Sequence, residues 1–239
     1  MGTLRFSIQL HDERTGAAIT QSGGTVTVCQ SGDAAKQAVL TKAGAAASNP
    51  VAITNGKIEF YTSDSVNQVD VYGIGPNGEA IIMTGVKPSG DAAHYLSKAL
   101  QQTYKLPFAI GDYAVAENDI GHDLVPNSIV HPQGIGFLVT TLDDTETIDV
   151  GLLSSESGGD ADGFMAGLSV STAGMKIPLI ANGANTMGAL LEGQDSANAG
   201  DLVPRSHVVT NTAKSITLTP SAGSDTVEGF TILPVTLPA

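Results

Sequence analysis

The chain has 239 residues, of which 41% are hydrophobic and 15% are charged, and its formal net charge is −13. This composition is too apolar and too poor in charge for an intrinsically disordered chain, and no apolar run approaches the roughly 18 residues of a membrane helix. The single cysteine, Cys29, cannot form an internal disulfide. The excess negative charge disfavours nucleic acid as a partner, because phosphate backbones are themselves anionic. The first 16 residues lack the apolar core of a secretion signal, so we expect none.

The acidic excess is confined to one part of the chain. Residues 1–105 hold 8 basic and 8 acidic residues, whereas residues 106–239 hold 3 basic and 16 acidic residues. Such different electrostatics predict two domains. We expect a β-sandwich domain at 1–88, a helical linker at 89–106 and an acidic, jelly-roll-like domain at 107–239.

The first region contains the alternating apolar pattern of half-buried strands. Residues 4–11 alternate strictly, and residues 25–29 form a second such run. Asn55-Gly56 supplies the two positive-φ positions of a type I′ hairpin turn between residues 51–54 and 57–61. About seven short strands predict a small immunoglobulin-like sandwich. Only residues 34–40 have a composition that would suit a helix.

The best helix candidate of the whole chain is DAAHYLSKALQQTY, residues 91–104. Ala, Leu, Lys and Gln favour a helix, Asp91 or Ser89 can cap it, and Pro107 would end it. Leu96 and Leu100 would share one stripe. Such a helix could bind a partner or a second copy, but the simpler interpretation is a linker packed on its own domain.

Residues 73–78, GIGPNG, match the GxGxxG fingerprint of dinucleotide-binding folds. That fingerprint works only where a strand leads into a helix, whose N–H groups hold the pyrophosphate. Here the following residues, 80–83, have a strand pattern, and Pro76 removes one donor. The motif therefore predicts a hairpin turn.

The acidic region contains an internal repeat. DLVPNSIV at 123–130 returns as DLVPRSHV at 201–208, and each copy has the pattern strand, turn, strand, acidic turn, strand. A duplicated three-strand unit predicts two similar halves that face each other, as in a jelly roll. The repeat also indicates that LVPRS, which resembles a thrombin cleavage tag, belongs to the native sequence. About eight strands are expected here, at 109–116, 134–141, 147–153, 163–170, 187–191, 203–210, 215–219 and 227–235.

Few residues suggest chemistry. The acidic runs 143–146 and 160–163 could ligate Ca²⁺, although solvated turns explain them more simply. No carboxylate pair stands out for glycoside hydrolysis. The five histidines show no metal-ligand spacing, and no GxSxG nucleophile motif occurs. His131 and His207 lie near the ends of the repeated strands and could pair with Asp123 or Asp201. We predict no catalytic, cofactor-binding or metal-binding residues, and a non-enzymatic protein.

Two stretches carry a resemblance to a known family. Residues 48–78, from SNPVAITNGKIEFYTSDSV to VDVYGIGPNG, resemble the N-terminal β-module of tailed-bacteriophage virion proteins. Residues 145–164, TETIDVGLLSSESGGDADGF, are similar to the β-domain that often accompanies that module. The resemblance implies a phage structural protein, in particular a head decoration (cement) protein on the capsid exterior. It implies assembly in the host cytoplasm, the major capsid protein as partner, self-association as a homotrimer, and no membrane partner.

Three functions stay open at this point. A decoration protein would bridge capsomers through many weak, repeated contacts. A tail fibre or adsorption protein would bind a host surface glycan through the jelly-roll domain. A carbohydrate depolymerase would be an enzyme, for which the sequence offers no catalytic residues.

Overall fold

The computed structural model describes residues 2–88, 92–96, 101–109, 115–141, 147–180, 186–194, 202–221 and 227–238. These residues form strands and one short 3₁₀ helix, and no α-helix occurs in the ranges just given. The contacts divide the chain into two compact units. Unit 1 comprises Met1–Ala99 and Lys105–Pro107, and unit 2 comprises Leu100–Tyr104 and Phe108–Ala239.

Unit 1 is built from two sheets. Its first seven strands are β1 (Thr3–Asp12), β2 (Thr25–Gln30), β3 (Val51–Ala52), β4 (Lys57–Ser63), β5 (Val69–Ile74), β6 (Ala80–Val86) and β7 (Ala92–Leu96). One sheet has the order β4-β1-β7 and the other has the order β3-β2-β5-β6. Side chains from both sheets form one buried core, in which the Phe6 and Phe60 rings stack 4.9 Å apart.

The two-residue hairpin turn of unit 1 is confirmed. Asn55 and Gly56 have φ values of 52° and 65°, as a type I′ turn requires. Thr54 and Lys57 exchange two backbone hydrogen bonds across this turn. The strand predicted from the alternation of residues 4–11 is also confirmed, since β1 buries Phe6, Ile8 and Leu10, although Ser7 between them is buried as well.

The strand pairing of unit 1 departs from the predicted immunoglobulin-like arrangement. An immunoglobulin constant-type sandwich places its first two strands in the same sheet. Here β1 pairs with β4 and β7, whereas β2 pairs with β3 and β5. The alternation of apolar and polar residues determines which face of a strand is buried, but it does not determine which strands pair with it.

The predicted linker helix is wrong. Residues 92–96 form β7, which pairs in parallel with β1 from Ile8↔Ala92 to Asp12↔Leu96 and buries Leu96. Residues 101–109 form β8 (Gln101–Ala109), and Pro107 lies inside that strand. Residues 89–91 and 97–100 lie outside the described residues. Helix propensity is a weak preference, and pairing with the edge of β1 outweighs it.

The helix considered for residues 34–40 is also absent. Lys36 forms an isolated bridge to Cys29, and Leu40 forms bridges to Ala46 and Tyr61. Asn49 holds this segment against β2, since its side-chain amide donates to the Val28 and Gln37 carbonyl oxygens. The segment is therefore an irregular connection fixed by an amide side chain, which propensity does not reveal.

Unit 2 contains two larger sheets and a separate two-stranded ribbon. Its further strands are β9 (Asn118–Leu124), β10 (Ile129–Val130), β11 (Gly136–Thr141), β12 (Thr147–Leu152), β13 (Asp160–Ser169), β14 (Gly174–Lys176), β15 (Thr186–Met187), β16 (Glu192–Gln194), β17 (Leu202–Pro204), β18 (His207–Val208), β19 (Lys214–Pro220) and β20 (Glu228–Thr236). The 3₁₀ helix is Ala189–Leu191. One sheet has the order β14-β11-β20-β10-β18, with β8 also paired to β20. The other has the order β15-β13-β12-β19-β9, and β16 pairs with β17.

The chain alternates between the two larger sheets. We number eight of their strands one to eight in chain order: β8, β9, β11, β12, β13, β14, β19 and β20. In these numbers, the sheets have the orders 1-8-3-6 and 2-7-4-5. Most consecutive strands therefore lie in different sheets. Each sheet buries one set of apolar side chains, including Phe137, Val139, Ile148, Val150, Ile216 and Leu218.

Five of the eight strands expected in the acidic region are found, with differences at some ends. Those expected at 134–141, 147–153, 163–170, 215–219 and 227–235 correspond to β11, β12, β13, β19 and β20. The strand expected at 203–210 is divided into β17 and β18, and residues 187–191 are largely the 3₁₀ helix and not a strand. The strand expected at 109–116 is not found there, because β8 ends at Ala109 and residues 110–114 lie outside the described residues. The eight expected strands do not include β9, β10, β14 or β16.

Candidate functional site

A polar cleft lies beside His131 on the surface of unit 2. It has a volume of about 350 Å³ and is lined by Gln101, Gln102, Thr103, His131, Gln133, Pro234 and Val235. The strands β8 and β20 and the turn after β10 supply these side chains. The lining holds amides, a hydroxyl and an imidazole beside two apolar side chains, and it includes no carboxylate, lysine or arginine. In a region with 16 acidic residues, this lining suits an uncharged ligand that both donates and accepts hydrogen bonds.

His131 is fixed in this cleft by two hydroxyl groups. Its Nδ1 lies 2.9 Å from Ser206 Oγ, and its Nε2 lies 2.7 Å from Thr236 Oγ1. Its backbone N–H donates to the Pro234 carbonyl oxygen. The predicted pairing of His131 with Asp123 does not occur, because the Asp123 carboxylate accepts a hydrogen bond from Ser215 instead. Asp201, the other predicted partner, lies outside the described residues.

His207 has a different environment. Its ring packs edge-on against Phe164, with the ring centroids 6.1 Å apart. Burial, with a smaller contribution from the Arg205 charge, lowers the pKa of His207. A partly buried imidazole on an aromatic ring suits a packing role.

Large apolar side chains are exposed in β14, at the edge of the first large sheet, and in the residues that follow it. Met175, Ile177 and Leu179 are 46%, 61% and 67% exposed. β14 is the last strand of this sheet in the described part of the chain, since it pairs only with β11 there. Gly136 makes room for the patch, because a Cβ atom at that residue would lie 2.5 Å from Met175 Cε. We call Met175, Ile177 and Leu179 the β14 edge patch.

Two aspartates of the second Ca²⁺ candidate lie side by side at the start of β13. A hydrogen bond that the protonated Asp160 carboxyl donates to Asp162, together with burial and the negative charge of Asp162, raises the pKa of Asp160 to about 6. Burial is also the main cause that raises the pKa of Asp149, on the neighbouring strand β12. No group of three or more metal-ligating side chains occurs among the described residues.

The other Ca²⁺ candidate, residues 143–146, lies outside the described residues. Within residues 160–163, the chain does not form an EF-hand loop, because Asp160 and Asp162 already belong to strand β13. Ca²⁺ binding by either of the two acidic runs therefore stays untested.

The GxGxxG segment is a hairpin turn between β5 and β6, as predicted. Gly75 and Glu79 are joined by a 2.6 Å backbone hydrogen bond, and the Glu79 carboxylate accepts hydrogen bonds from the Asn77 backbone and side-chain amides. A strand follows the turn, and the buried Glu79 carboxylate already accepts the hydrogen bond of a backbone N–H group that a phosphate would need.

Cys29 is buried and forms no disulfide, as expected for a small hydrophobic residue.

The sequence did not indicate the cleft or the β14 edge patch. The cleft combines residues from three distant segments, 101–103, 131–133 and 234–235. The sequence did not single out the patch, since exposed and buried apolar strand faces have the same alternation. Among the described residues, no helix is long and apolar enough to cross a membrane.

Comparison with known proteins adds no relative. No protein-family model, no curated protein and no solved structure matches this chain.

Proposed function

We propose that the chain is a non-enzymatic structural protein of a tailed-bacteriophage virion, which binds the outer capsid lattice and stabilises the head. The proposed partner is the major capsid protein, and the proposed oligomer is a homotrimer. The proposal starts from the resemblance of residues 48–78 and 145–164 to phage virion modules. The structure contributes a surface by which such a protein could bind.

The observation that carries the proposal is the β14 edge patch. Three large apolar side chains exposed in and just after an edge strand cost solvation free energy in an isolated chain, and exposed apolar surface typically marks a protein interface. An edge strand also offers unpaired backbone groups to another chain. A protein that coats a lattice needs such a surface outside its own core.

The sheet orders support the predicted form of unit 2. The orders 1-8-3-6 and 2-7-4-5 are those of a jelly roll with two Greek keys, which is a frequent architecture of capsid domains. Jelly rolls also occur in lectins and enzymes, so the form supports a class of architecture and not a function by itself.

The first experiment is the copy number of the chain in purified particles, measured by quantitative mass spectrometry against the major capsid protein. Hundreds of copies per particle are expected for a lattice protein. A few to a few tens of copies would assign the chain to the tail, and complete absence would refute the virion proposal.

A second experiment tests the patch. The double variant Ile177→Ser, Leu179→Ser should remain folded and lose binding to particles that lack the wild-type chain. Ile82→Ser is the matched control, because Ile82 is 44% exposed in unit 1 and lies outside the patch. Equal binding of the double variant and the control would contradict docking through β14.

The cleft beside His131 favours a second candidate, a tail fibre or adsorption protein that binds a host surface glycan. Its amides and hydroxyl match the neutral, hydroxyl-rich surface of a sugar. The expected result is saturable binding to host surface polysaccharide that Gln133→Ala weakens, together with a low copy number. Absence of binding at millimolar oligosaccharide would exclude this candidate.

A further inference from the structure

The segment Leu202–Ser206 lies on the surface of unit 2 in an extended conformation. Leu202 and Val203 are 40% and 37% exposed, and Pro204 and Arg205 are exposed as well. The strand β17 pairs only with β16 in the described structure, and neither strand belongs to the two larger sheets. An isolated two-stranded ribbon is marginally stable, so it opens at low cost without unfolding the sheets.

We propose that the Arg205–Ser206 peptide bond is a cleavage site for serine proteases of the trypsin type. These enzymes hold an arginine side chain against a carboxylate in their S1 pocket. The reaction consumes one water molecule: the bond from the Arg205 carbonyl carbon to the Ser206 nitrogen breaks, the carbonyl carbon becomes a carboxylate, and Ser206 acquires a free amino group.

Arg205 differs from the other two arginines of the chain. Arg5 lies inside β1, where it forms an ion pair with Glu59 at 2.9 Å. Arg14 lies in a turn that Asp12 closes by accepting hydrogen bonds from the Thr15 backbone and hydroxyl. Only Arg205 follows a proline and precedes a small residue, and it is exposed directly after the strand β17. A protease that selects proline before arginine, such as thrombin, therefore distinguishes this bond from the others.

The ribbon controls access to the bond. The Arg205 backbone N–H donates to the Leu191 carbonyl oxygen at 2.7 Å, and Val203 pairs with Gly193. A protease binds its substrate as an added strand and needs these same backbone groups. Cleavage therefore requires β16 to separate from β17, which is a local opening and not global unfolding.

The two products should stay together after the cut. On the C-terminal side, β18 pairs with β10, β19 pairs with β9 and β12, and β20 pairs with β10 and β11. Ser206 itself is bonded to His131. These ladders join the new fragment to the rest of unit 2, so the nicked protein should keep its sheets.

The test is limited proteolysis of the full native chain with thrombin, followed by intact mass measurement and size-exclusion chromatography. We expect two fragments, Met1–Arg205 and Ser206–Ala239, that elute together at the volume of the uncut protein. Arg205→Gln should resist cleavage, and Arg14→Gln should be cut at the wild-type rate. Resistance of the native wild type, under conditions that cut the urea-unfolded chain, would overturn the proposal, as would cleavage of Arg205→Gln at the wild-type rate.

A further variant tests the controlling step. Gly193→Pro removes an N–H donor from β16, so we expect cleavage several-fold faster than in the wild type. An unchanged rate would show that the ribbon does not limit access. Fragments that elute separately would refute the claim that the ladders hold the nicked unit together.

Discussion

Ile129 pairs with Val208 in the β10–β18 ladder, and Val130 pairs with His207 in the same ladder. In the sequence repeat, Ile129 corresponds to His207 and Val130 corresponds to Val208. Each residue of one copy therefore pairs with the neighbour of its own equivalent in the other copy. A local two-fold axis produces this pattern. The pairs β11–β20 and β12–β19 follow the same exchange. The predicted facing of two similar halves is thus present in the strand pairing of unit 2.

His131 connects the two copies, because it bonds Ser206 of the second repeat and Thr236 of β20. His131→Ala removes both hydrogen bonds, and we expect it to lower the free energy of unfolding by about 1–3 kcal/mol. Urea denaturation measures the change. Gln133→Ala is the control, since Gln133 is an exposed neighbour in the same cleft. Equal stability of the two variants would show that the hydroxyl contacts contribute nothing.

The stacked rings of Phe6 and Phe60 join β1 to β4 in the core of unit 1. Phe60→Ala leaves a cavity, and we expect a loss of about 3–5 kcal/mol. Phe60→Leu keeps most of the volume and should cost clearly less. Hydrogen exchange resolved by peptide should show the loss of protection mainly in unit 1. Equal costs for both substitutions would contradict a cavity as the cause.

The carboxyl pair Asp160–Asp162 predicts a pH dependence of stability. The hydrogen bond that protonated Asp160 donates to Asp162 is the largest cause that raises the pKa of Asp160 to about 6, against about 3.9 in an unfolded chain. The folded chain then binds the proton more tightly, so this pair stabilises it fully below about pH 4, and the contribution is lost as the pH rises through about 6. Thermal unfolding between pH 4 and pH 7 measures it.

The control variants separate this pair from the other acidic residues. Asp162→Asn should bring the pKa of Asp160 towards its ordinary value and remove its part of the pH dependence. Glu13→Gln, in the exposed turn after β1, should leave the profile unchanged. Carboxyl chemical shifts report the pKa directly, and an Asp160 midpoint near 4 in the wild type would refute the pairing.

Gly151 lies in β12 directly against the β13 backbone. A Cβ atom there would lie 2.0 Å from the Asp160 carbonyl oxygen, which is backbone and cannot rotate away. We expect Gly151→Ala to cost about 3 kcal/mol because two strands must separate. Gly158→Ala meets open space and should cost about 1–2 kcal/mol, from its φ of +80° alone. Urea unfolding compares the two, and the reverse order would contradict the close approach.

The sequence by itself determined the local structure that depends on neighbouring residues. Alternation located β1, β2 and most strands of unit 2, because a strand buries every second side chain. Asn55-Gly56 determined its turn through backbone sterics. The repeat at 123–130 and 201–208 predicted the facing halves, since equal sequences favour equal local structures.

Only the tertiary structure decided which strands pair and which side chains remain exposed. Residues 92–96 have helical propensity, yet they form the strand β7 because they pair with the edge of β1. Met175, Ile177 and Leu179 resemble core residues, yet the sheet ends at β14 and leaves them exposed. The cleft beside His131 joins residues more than a hundred positions apart. Such pairing depends on contacts between distant segments, whose free energies do not follow from local propensity or periodicity.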